Sequence, residues 1–313
     1  MTALDPRPVV LTGASGFIAK HVARCLLEDG HAVRATLRSP ARADLLSDDG
    51  WAEAMAGASA LIHTASPFPQ NQPRDRDELI RPAVEGTRRA LRAAADAGVG
   101  RVVLTSSVAA IAHAGPPDRK DEKDWNDPDR ATPYEASKTL AERAAWDLSR
   151  ERGLRLTTIN PSLVLGPILD IHSGTSVGLV LRLLRGRDPL VPCLNFSGVD
   201  VRDVALLHAR ALGLAATEGE RIIASAGLLP MPEMARVLAR AFPGRRIPTR
   251  QAPDLLIRAM GLLLPDMRAA AAFLGRPREV SNDKARRLFG IEFIPPEEAL
   301  LATARSLVEK GLA

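Results

Sequence analysis

The amino-acid sequence predicts an α/β fold in which helices cover both faces of a parallel sheet. Short β-branched runs alternate with helical patterns through the first half of the chain, which is the rhythm of βαβ units. These runs carry apolar residues at consecutive positions instead of every second one, as expected of strands buried on both faces. The 313 residues suffice for one large α/β domain with a smaller lobe added to it.

The predicted elements follow one another in regular order. The strand-like runs are PVVLTG at 8–13, HAVRATLR at 31–38, SALIHTAS at 59–66, RVVLTSSVAAI at 101–111, LRLTTINPS at 154–162 and RIIA at 221–224. Helical patterns cover 17–29, 78–97 and 133–152, and GWAEAMAGA at 50–58 predicts a short helix. Beyond Gly166 the chain turns to Gly- and Pro-punctuated loops and Leu/Ala/Arg helices. We therefore expect a larger domain of residues 1–165 and 196–226, and a smaller, mostly helical lobe of residues 166–195 and 227–313.

Composition and charge exclude several classes of protein. No apolar run reaches the roughly 20 residues that cross a bilayer, and the N-terminus carries no export pattern, so we expect a cytoplasmic protein without a membrane partner. The net charge is +5, but the arginines are scattered among acids, which argues against a nucleic-acid partner. Cys25 and Cys193 show no ligand spacing with the histidines, so no metal site or disulfide is expected.

A glycine-rich turn follows the first strand and opens the first helix. Small residues stand at Gly13, Gly16 and Ala19, where they permit a tight turn, a close approach of the backbone to a pyrophosphate, and close packing of helix on sheet. This placement favours a dinucleotide site over an ordinary turn. The fold class is therefore a Rossmann-type doubly wound parallel sheet with a smaller, mostly helical C-terminal lobe.

The end of the second strand indicates which dinucleotide is preferred. An acid there would bond the ribose 2′-hydroxyl and repel a 2′-phosphate, but VRATLRS has no acid at its tip. Arg38 can offer its planar guanidinium to a phosphate. The sequence therefore predicts NADP (NADPH) as the cofactor in preference to NAD.

Three side chains are the candidate catalytic residues. Tyr134 and Lys138 lie four residues apart on a predicted helix, so they share one face, and a nearby ammonium lowers the pKa of a phenol. Tyr134 is also the only tyrosine of the chain. Ser107 and Ser106 end the strand that precedes them, at the edge where open α/β sheets bind ligands. Strand alternation turns one of the two serines toward that edge without deciding which, and we take Ser107 as the candidate.

Taken together, TGASGFIA, TSS and YEASK resemble the extended short-chain dehydrogenases/reductases. The resemblance is closest to the branch that holds dihydroflavonol reductases, cinnamoyl-CoA reductases and microbial aldehyde/ketone reductases. It extends over residues 8–212 through IHTASPF, VEGTRRAL, NPSLVLGP and VDVRDVALLHARAL, and covers the C-terminal tail only loosely.

The resemblance implies an NADPH-dependent carbonyl reductase. Its tyrosine, lysine and serine fall on Tyr134 as proton donor, on Lys138, which lowers the pKa of the tyrosine and holds the nicotinamide ribose, and on Ser107, which holds the carbonyl. The cofactor contacts that the resemblance implies, besides Tyr134 and Lys138, fall on Gly13, Ser15, Gly16, Phe17, Ile18, Arg38, Ala65, Ser66, Thr105, Pro161, Ser162 and Val164.

Two departures from the family pattern stand out. Asp44 and Leu45, which resemble the family's adenine contact, follow Arg38 too closely for the helix and third strand that relatives have between them. We therefore expect the usual third strand to be missing and the second strand to form an edge of the sheet. Past Ser107, the small apolar side chains of 108–112 replace a polar group of flavonoid-specific relatives.

A hydrophobic aldehyde or ketone is accordingly the predicted small-molecule substrate, reduced reversibly to an alcohol. The pocket wall is expected from residues 167–195 and 250–275. Two alternatives stay open: a hydroxysteroid dehydrogenase or nucleotide-sugar epimerase with the same three side chains, and a non-catalytic NADP-sensing regulator. The protein is expected to be a monomer or a homodimer.

Overall fold

The computed structural model describes residues 5–36, 45, 47–66, 75–112, 119–171, 174–262, 271, 274 and 279–313. Its main sheet has six parallel strands in the order β2-β1-β3-β4-β5-β8. Their bounds are β1 Val9–Thr12, β2 Val33–Thr36, β3 Ala60–His63, β4 Arg101–Thr105, β5 Arg155–Pro161 and β8 Arg221–Ala224. The predicted α/β fold with a parallel sheet is confirmed.

Helices cover both faces of this sheet because neighbouring strand residues point to opposite sides. On one face, Val9 and Leu11 pack in a core with helices α1, α6 and α9. On the other face, Val10 and Leu61 pack in a core with α2, α3 and α4. The helices are α1 Phe17–Glu28, α2 Trp51–Met55, α3 Asp77–Asp96, α4 Pro133–Arg152, α6 Val201–Gly213 and α9 Asp283–Phe289.

The predicted loss of a strand is confirmed for the described residues. β2 lies at the edge of the sheet, paired only with β1, and β1 pairs on its other side with β3. The described part of the crossover from β2 to β3 holds one helix, the five residues of α2. A parallel crossover needs a dozen or more residues, so the segment between Thr36 and Ala60 provides for one connection and not for two.

Helix α4 is fixed at both ends by its own sequence. Thr132 caps the helix through a reciprocal pair of bonds with Glu135, and Pro133 occupies the first turn, where its missing N–H costs nothing. Gly153 ends the helix at φ 65°, a left-handed conformation that suits glycine. The start of α4, which carries Tyr134 and Lys138, is thereby set in register.

A second body of structure is built on a small sheet that the sequence did not indicate. Strands β6 Leu163–Leu165, β7 Ser197–Asp200 and β9 Gly227–Leu228 form it, with β6 and β7 parallel. Helices α5 Thr175–Arg185, α7 Met231–Ala241 and α10 Pro296–Glu309 pack beside it around a separate core. Helix α8, Asp254–Gly261, contributes Ile257 to a further small cluster.

The C-terminal region packs in two places. Ala285 and Phe289 of α9, with Ile291 and Phe293 after it, pack in the core that contains α1 and α6. Val280 packs against Ile223 of the main sheet. Residues 280–293 therefore cover the large sheet, while α10 returns to the lobe.

Within the part of the chain described here, no helix combines the length and apolar character needed to cross a membrane.

The central strands carry the stability of the main sheet. Leu61 is fully buried on β3, whereas Leu255 on α8 is 79% exposed. We predict that Leu61→Ala lowers the free energy of unfolding by about 2–5 kcal/mol, because it removes buried methyl groups and leaves a cavity. Leu255→Ala, the matched surface control, changes it by less than about 0.5 kcal/mol. Urea denaturation measures both, and equal losses in the two variants contradict this assignment of the core.

Candidate active site

The candidate active site lies at the carboxyl edge of the main sheet. Parallel strands end at the same edge, so the turns after β1, β3, β4 and β5 come together although they are far apart in sequence. Gly13 follows β1, Ser66 follows β3, Ser107 follows β4 and Ser162 follows β5. The start of α4 meets them there.

Gly13 sets the shape of the turn after β1. Its φ is +68°, and a Cβ added to it would lie 2.9 Å from the Cα of Ala65, so only glycine allows this approach to the end of β3. The amide of Gly16 donates to the carbonyl oxygen of Gly13 at 2.8 Å and Gly16 then caps α1. The N-terminus of α1 consequently faces the cleft beside this turn.

That cleft gathers six of the predicted cofactor contacts, namely Gly13, Ser15, Gly16, Leu45, Ala65 and Ser66. Its lining comes from the turn after β1, the ends of β2 and β3, and the crossover, namely Thr12, Gly13, Ser15, Gly16, Thr36, Leu45, Trp51, Thr64, Ala65 and Ser66. Thr12, Thr36, Trp51 and Thr64 were missed from sequence. The end of a strand was the available signal for the threonines, and Trp51 enters only because the crossover is short.

The predicted adenine contacts lie in the crossover segment between β2 and β3. Leu45 packs on α3, where a Cβ on Gly86 would lie 3.0 Å from the Leu45 Cβ, and its carbonyl oxygen accepts from Arg89. Of the other predicted adenine-end contacts, Arg38 and Asp44 lie outside the described residues.

The other predicted cofactor contacts fall into two groups. Phe17, Ile18 and Val164 pack in the core around α1 and α6. Thr105 bonds the buried His208 ring at 2.7 Å, and Pro161 and Ser162 are buried at the end of β5. The Ser162 hydroxyl has no hydrogen-bond partner among the described residues.

A dinucleotide fits this arrangement. The glycine turn leaves space where any side chain would stand, and the N–H groups at the start of α1 attract an anion. The unpartnered Ser162 hydroxyl lies farther along the same edge, where a polar group could satisfy it. In the described residues, no group of acids, histidines and cysteines could hold a metal ion.

Tyr134, Lys138 and Ser107 lie together at the start of α4. The Ser107 side chain hydrogen-bonds the Tyr134 side chain. The Lys138 Nζ lies 5.9 Å from the centre of the Tyr134 ring and donates to the Ser66 Oγ at 2.9 Å. Two of the four turns at the sheet edge, those after β3 and β4, therefore meet the start of α4 in one small volume.

The structure separates the two serines that end β4. Ser106 is buried and donates its hydroxyl to the Glu142 carboxylate at 2.5 Å. Ser107 is extended, with φ −163°, and faces Tyr134, while its Oγ also accepts from the Ala109 amide at 3.1 Å. Of the two, Ser107 is the one beside the tyrosine.

Burial opposes the charged form of both α4 residues. It raises the pKa of Tyr134 to about 12, although the hydrogen bond from Ser107 acts in the lowering direction. It also lowers the pKa of Lys138 to about 8, with the Glu142 carboxylate acting in the raising direction. The sequence predicts that the lysine brings the pKa of the tyrosine down. In the protein alone, desolvation sets the direction of the shift, and the influence in the lowering direction comes from Ser107 and not from Lys138.

His63, at the end of β3, is a buried residue of the site that was not predicted. Its Nδ1 bonds the Thr12 hydroxyl at 2.7 Å, and burial lowers the pKa of the ring to about 3, with the Lys138 charge acting in the same direction. A neutral imidazole therefore separates the glycine turn from the lysine.

The apolar residues after Ser107 are mostly buried. Ala109, Ala110, Ile111 and Ala112 are all buried, and Ile111 packs against Ile223 of β8. Val108 alone of this stretch is half-buried. In the two expected wall segments, apolar side chains are exposed at Leu169, Ile171, Leu255, Leu256 and Leu262.

Known proteins resemble this chain along its whole length. The NAD dependent epimerase/dehydratase family matches residues 9–223. Cinnamoyl-CoA reductase 1 of Petunia hybrida is 33% identical, with 99% of this chain and 95% of that protein covered. The structure of yeast methylglyoxal/isovaleraldehyde reductase complexed with NADPH is 28% identical and superposes with a TM-score of 0.81, covering 98% of this chain and all of that one (100%). Vestitone reductase of Medicago sativa is 25% identical with a TM-score of 0.77, covering 98% of this chain and 100% of that one.

Gly13 offers a direct test of the cleft. We predict that Gly13→Ala weakens NADPH binding by about tenfold or more, because the new methyl group meets Ala65 and the turn must open. Gly98→Ala is the matched control, since Gly98 also has a positive φ, of 73°, but has no neighbour within 4 Å at the end of α3. Fluorescence titration of NADPH measures both. Equal affinities in the two variants would mean that the turn after β1 does not hold the dinucleotide.

Proposed function

The chain belongs to the NAD dependent epimerase/dehydratase family, that is, to the extended short-chain dehydrogenases/reductases, and on that basis we propose that it is an NADPH-dependent reductase of hydrophobic aldehydes or ketones. The observation that carries this proposal is the cluster of Ser107, Tyr134 and Lys138 at the sheet edge, beside the cleft at the glycine turn.

Each residue of the cluster has a chemical role in this reaction. The Tyr134 hydroxyl, protonated at neutral pH, donates its proton to the carbonyl oxygen as negative charge develops there. Ser107 bonds that oxygen and orients it, and the Lys138 ammonium stabilises the tyrosinate that remains. NADPH, when bound, supplies the hydride. The reverse oxidation uses the same groups in the opposite order.

NADPH is proposed over NADH for three reasons. Arg38 and no acid follow β2 closely in the sequence, the related yeast reductase is complexed with NADPH, and β2 lies at an edge of the described sheet. The cofactor would lie along the cleft from Thr36 to Ser66. The other proposed contacts are Phe17, Ile18, Arg38, Asp44, Leu45, Thr105, Pro161, Ser162 and Val164. The negative charge of Asp44 would repel a phosphate, so its contact would be with the adenine or the ribose.

The groups that flank the reacting carbonyl of the substrate are proposed to be apolar. The exposed Leu169 and Ile171 lie just after β6, in a segment tied to α1 by an ion pair between Lys20 and Asp170. An apolar wall at that place favours a hydrophobic carbonyl compound.

A coenzyme A thioester is the second candidate substrate. The specific observation in its favour is the 33% identity to a cinnamoyl-CoA reductase over 99% of this chain. Hydride transfer to the thioester carbonyl, followed by departure of the thiol, would convert the thioester to an aldehyde. The same three side chains would assist this reaction.

Three other functions are less well supported. A nucleotide-sugar epimerase and a hydroxysteroid dehydrogenase use the same residues, but an epimerase that retains NAD would favour an acid after β2. A non-catalytic NADP-sensing regulator would have no need of Tyr134.

We propose further that the protein is cytoplasmic and a monomer or homodimer. The substrate-binding lobe is proposed to comprise residues 166–195 and 227–313, of which the stretch 280–293 also packs on the main sheet.

A substrate panel tests the proposal. Consumption of NADPH is measured with aliphatic, aromatic and steroid carbonyl compounds and with aromatic acyl-CoA thioesters, and NADH is used in parallel. Turnover with hydrophobic carbonyl compounds and preference for NADPH are expected. NADPH binding without turnover on any of them favours the regulator, and tightly held, copurified NAD favours the epimerase.

We predict that Tyr134→Phe lowers carbonyl-dependent NADPH consumption by about 10²–10⁴-fold, because it removes the proton donor and keeps the ring. NADPH affinity, measured by fluorescence titration, stays within about twofold of the wild-type value, since the hydroxyl is lost without a change of charge. Unchanged turnover in the variant would remove Tyr134 from the mechanism.

A further inference from the structure

A buried carboxylate lies directly behind the proposed catalytic cluster. The Glu142 side chain is fully buried on α4. Five donors surround its two oxygens: Arg221 Nε at 2.7 Å, Thr158 Oγ1 at 3.1 Å and Trp146 Nε1 at 3.3 Å on Oε1, and Ser106 Oγ at 2.5 Å and Asn160 Nδ2 at 2.7 Å on Oε2. Strands β4, β5 and β8 thus all send a side chain to this one residue of α4.

Two of these bonds connect Glu142 to the end of β4. Ser106 bonds it directly and is the neighbour of Ser107 in the chain. Asn160 uses its amide nitrogen twice, toward the carboxylate and, at 3.2 Å, toward the carbonyl oxygen of Ser107. The backbone of Ser107 is therefore held on both sides by groups that Glu142 fixes, and the Ser107 side chain bonds Tyr134.

Glu142 also lies one helical turn beyond Lys138, on the same face of α4. The titratable side chains that face Lys138 are Tyr134 and Glu142 from its own helix and the neutral His63 from β3. The buried face of α3 against α4 carries no titratable residue. On the far side of Glu142, Arg221 of β8 is the charged partner, stacked at 3.7 Å on the Trp125 ring.

We propose that Glu142 is a positioning residue for the reaction, which fixes the Ser107 backbone through Ser106 and Asn160 and keeps the buried Lys138 charged. This inference rests on the proposed function, because it assigns to Glu142 a role in the work of Ser107 and Lys138.

A purely structural ion pair between Glu142 and Arg221 makes different predictions. It would change the free energy of unfolding when broken, but not the pH at which a folded enzyme loses activity. The electrostatic role predicts such a change. Activity requires the Lys138 ammonium and is lost as pH rises through the lysine pKa, so removing the nearby anion lowers that pKa and moves the loss to lower pH.

The test uses Glu142→Gln, which removes the charge at nearly constant shape. We expect the basic limb of the kcat profile to move down by about one pH unit, with kcat about fivefold lower near pH 8. Near pH 6, where the lysine is protonated in both proteins, NADPH affinity stays within about twofold of wild type. Glu142→Asp keeps the charge with a shorter reach, so it lowers kcat through the Ser107 backbone but leaves the basic limb in place.

Glu122→Gln is the matched control. Glu122 is also buried beside β8, but its carboxylate accepts from the Ile223 amide and not from Ser106 or Asn160, the two residues that connect Glu142 to Ser107. The wild-type pH profile is expected for this variant. A wild-type profile and kcat in Glu142→Gln, at equal folded fraction, overturn the proposal.

A double variant covers the case in which Glu142→Gln does not fold. Glu142→Met with Arg221→Met removes both buried charges together, a change that leaves stability nearly unaffected more often than removal of one. The basic limb is again expected at lower pH, and a limb at the wild-type pH overturns the proposal. Failure of the proposed function itself is recognised separately, because the wild-type protein then consumes no NADPH with any carbonyl compound.

Discussion

Lys138 and Tyr134 stand side by side at the start of α4, and burial there opposes the charged form of each. An ammonium taken out of water without a partner would lose its proton, and a phenol in the same surroundings keeps its proton more firmly. The neighbouring groups offset this cost. Ser66 accepts from the lysine, Ser107 bonds the tyrosine, and the Glu142 carboxylate lies one turn away. The cluster therefore depends on Ser66, Ser107 and Glu142 lying beside these two buried side chains.

The parallel sheet brings the residues of the site together because its strands end at one edge. Ser66, Ser107 and Ser162 are brought within one site by β3, β4 and β5, although up to about a hundred residues separate them. The capping box at Thr132 and Glu135 then fixes the position at which α4 begins. The glycine turn lies at the same edge, so a dinucleotide bound there would lie beside Tyr134.

Much of the fold was predictable because it rests on local patterns. The period of the apolar residues predicted the strands and long helices. The small number of residues between Thr36 and Ala60 predicted that the family's usual third strand is missing, and the described residues of that segment contain no strand. The spacing of Tyr134 and Lys138 placed them on one helix face. The choice between Ser106 and Ser107 required the pleat of the actual strand. Glu142 and Arg221 gave no local signal, since their partners come from three strands and meet only in the folded chain. The packing of 280–293 on the large sheet is likewise a long-range contact that no local pattern marks.

The sequence predicts a lowered pKa for Tyr134, whereas burial in the structure raises it. This difference can be tested directly. Because Tyr134 is the only tyrosine, tyrosinate absorbance reports on it alone. The decisive measurement is a pH titration of that absorbance with and without saturating NADP⁺, in wild-type protein and in Lys138→Met. Without the nucleotide the hydroxyl is expected to stay protonated beyond pH 10, in line with a pKa of about 12. With NADP⁺ bound, the account predicts a wild-type pKa below the value of about 10 for free tyrosine, and no such fall in Lys138→Met. A wild-type pKa that stays at or above about 10 with the nucleotide bound, or one that falls equally in both proteins, contradicts the claim that the Lys138 charge activates Tyr134.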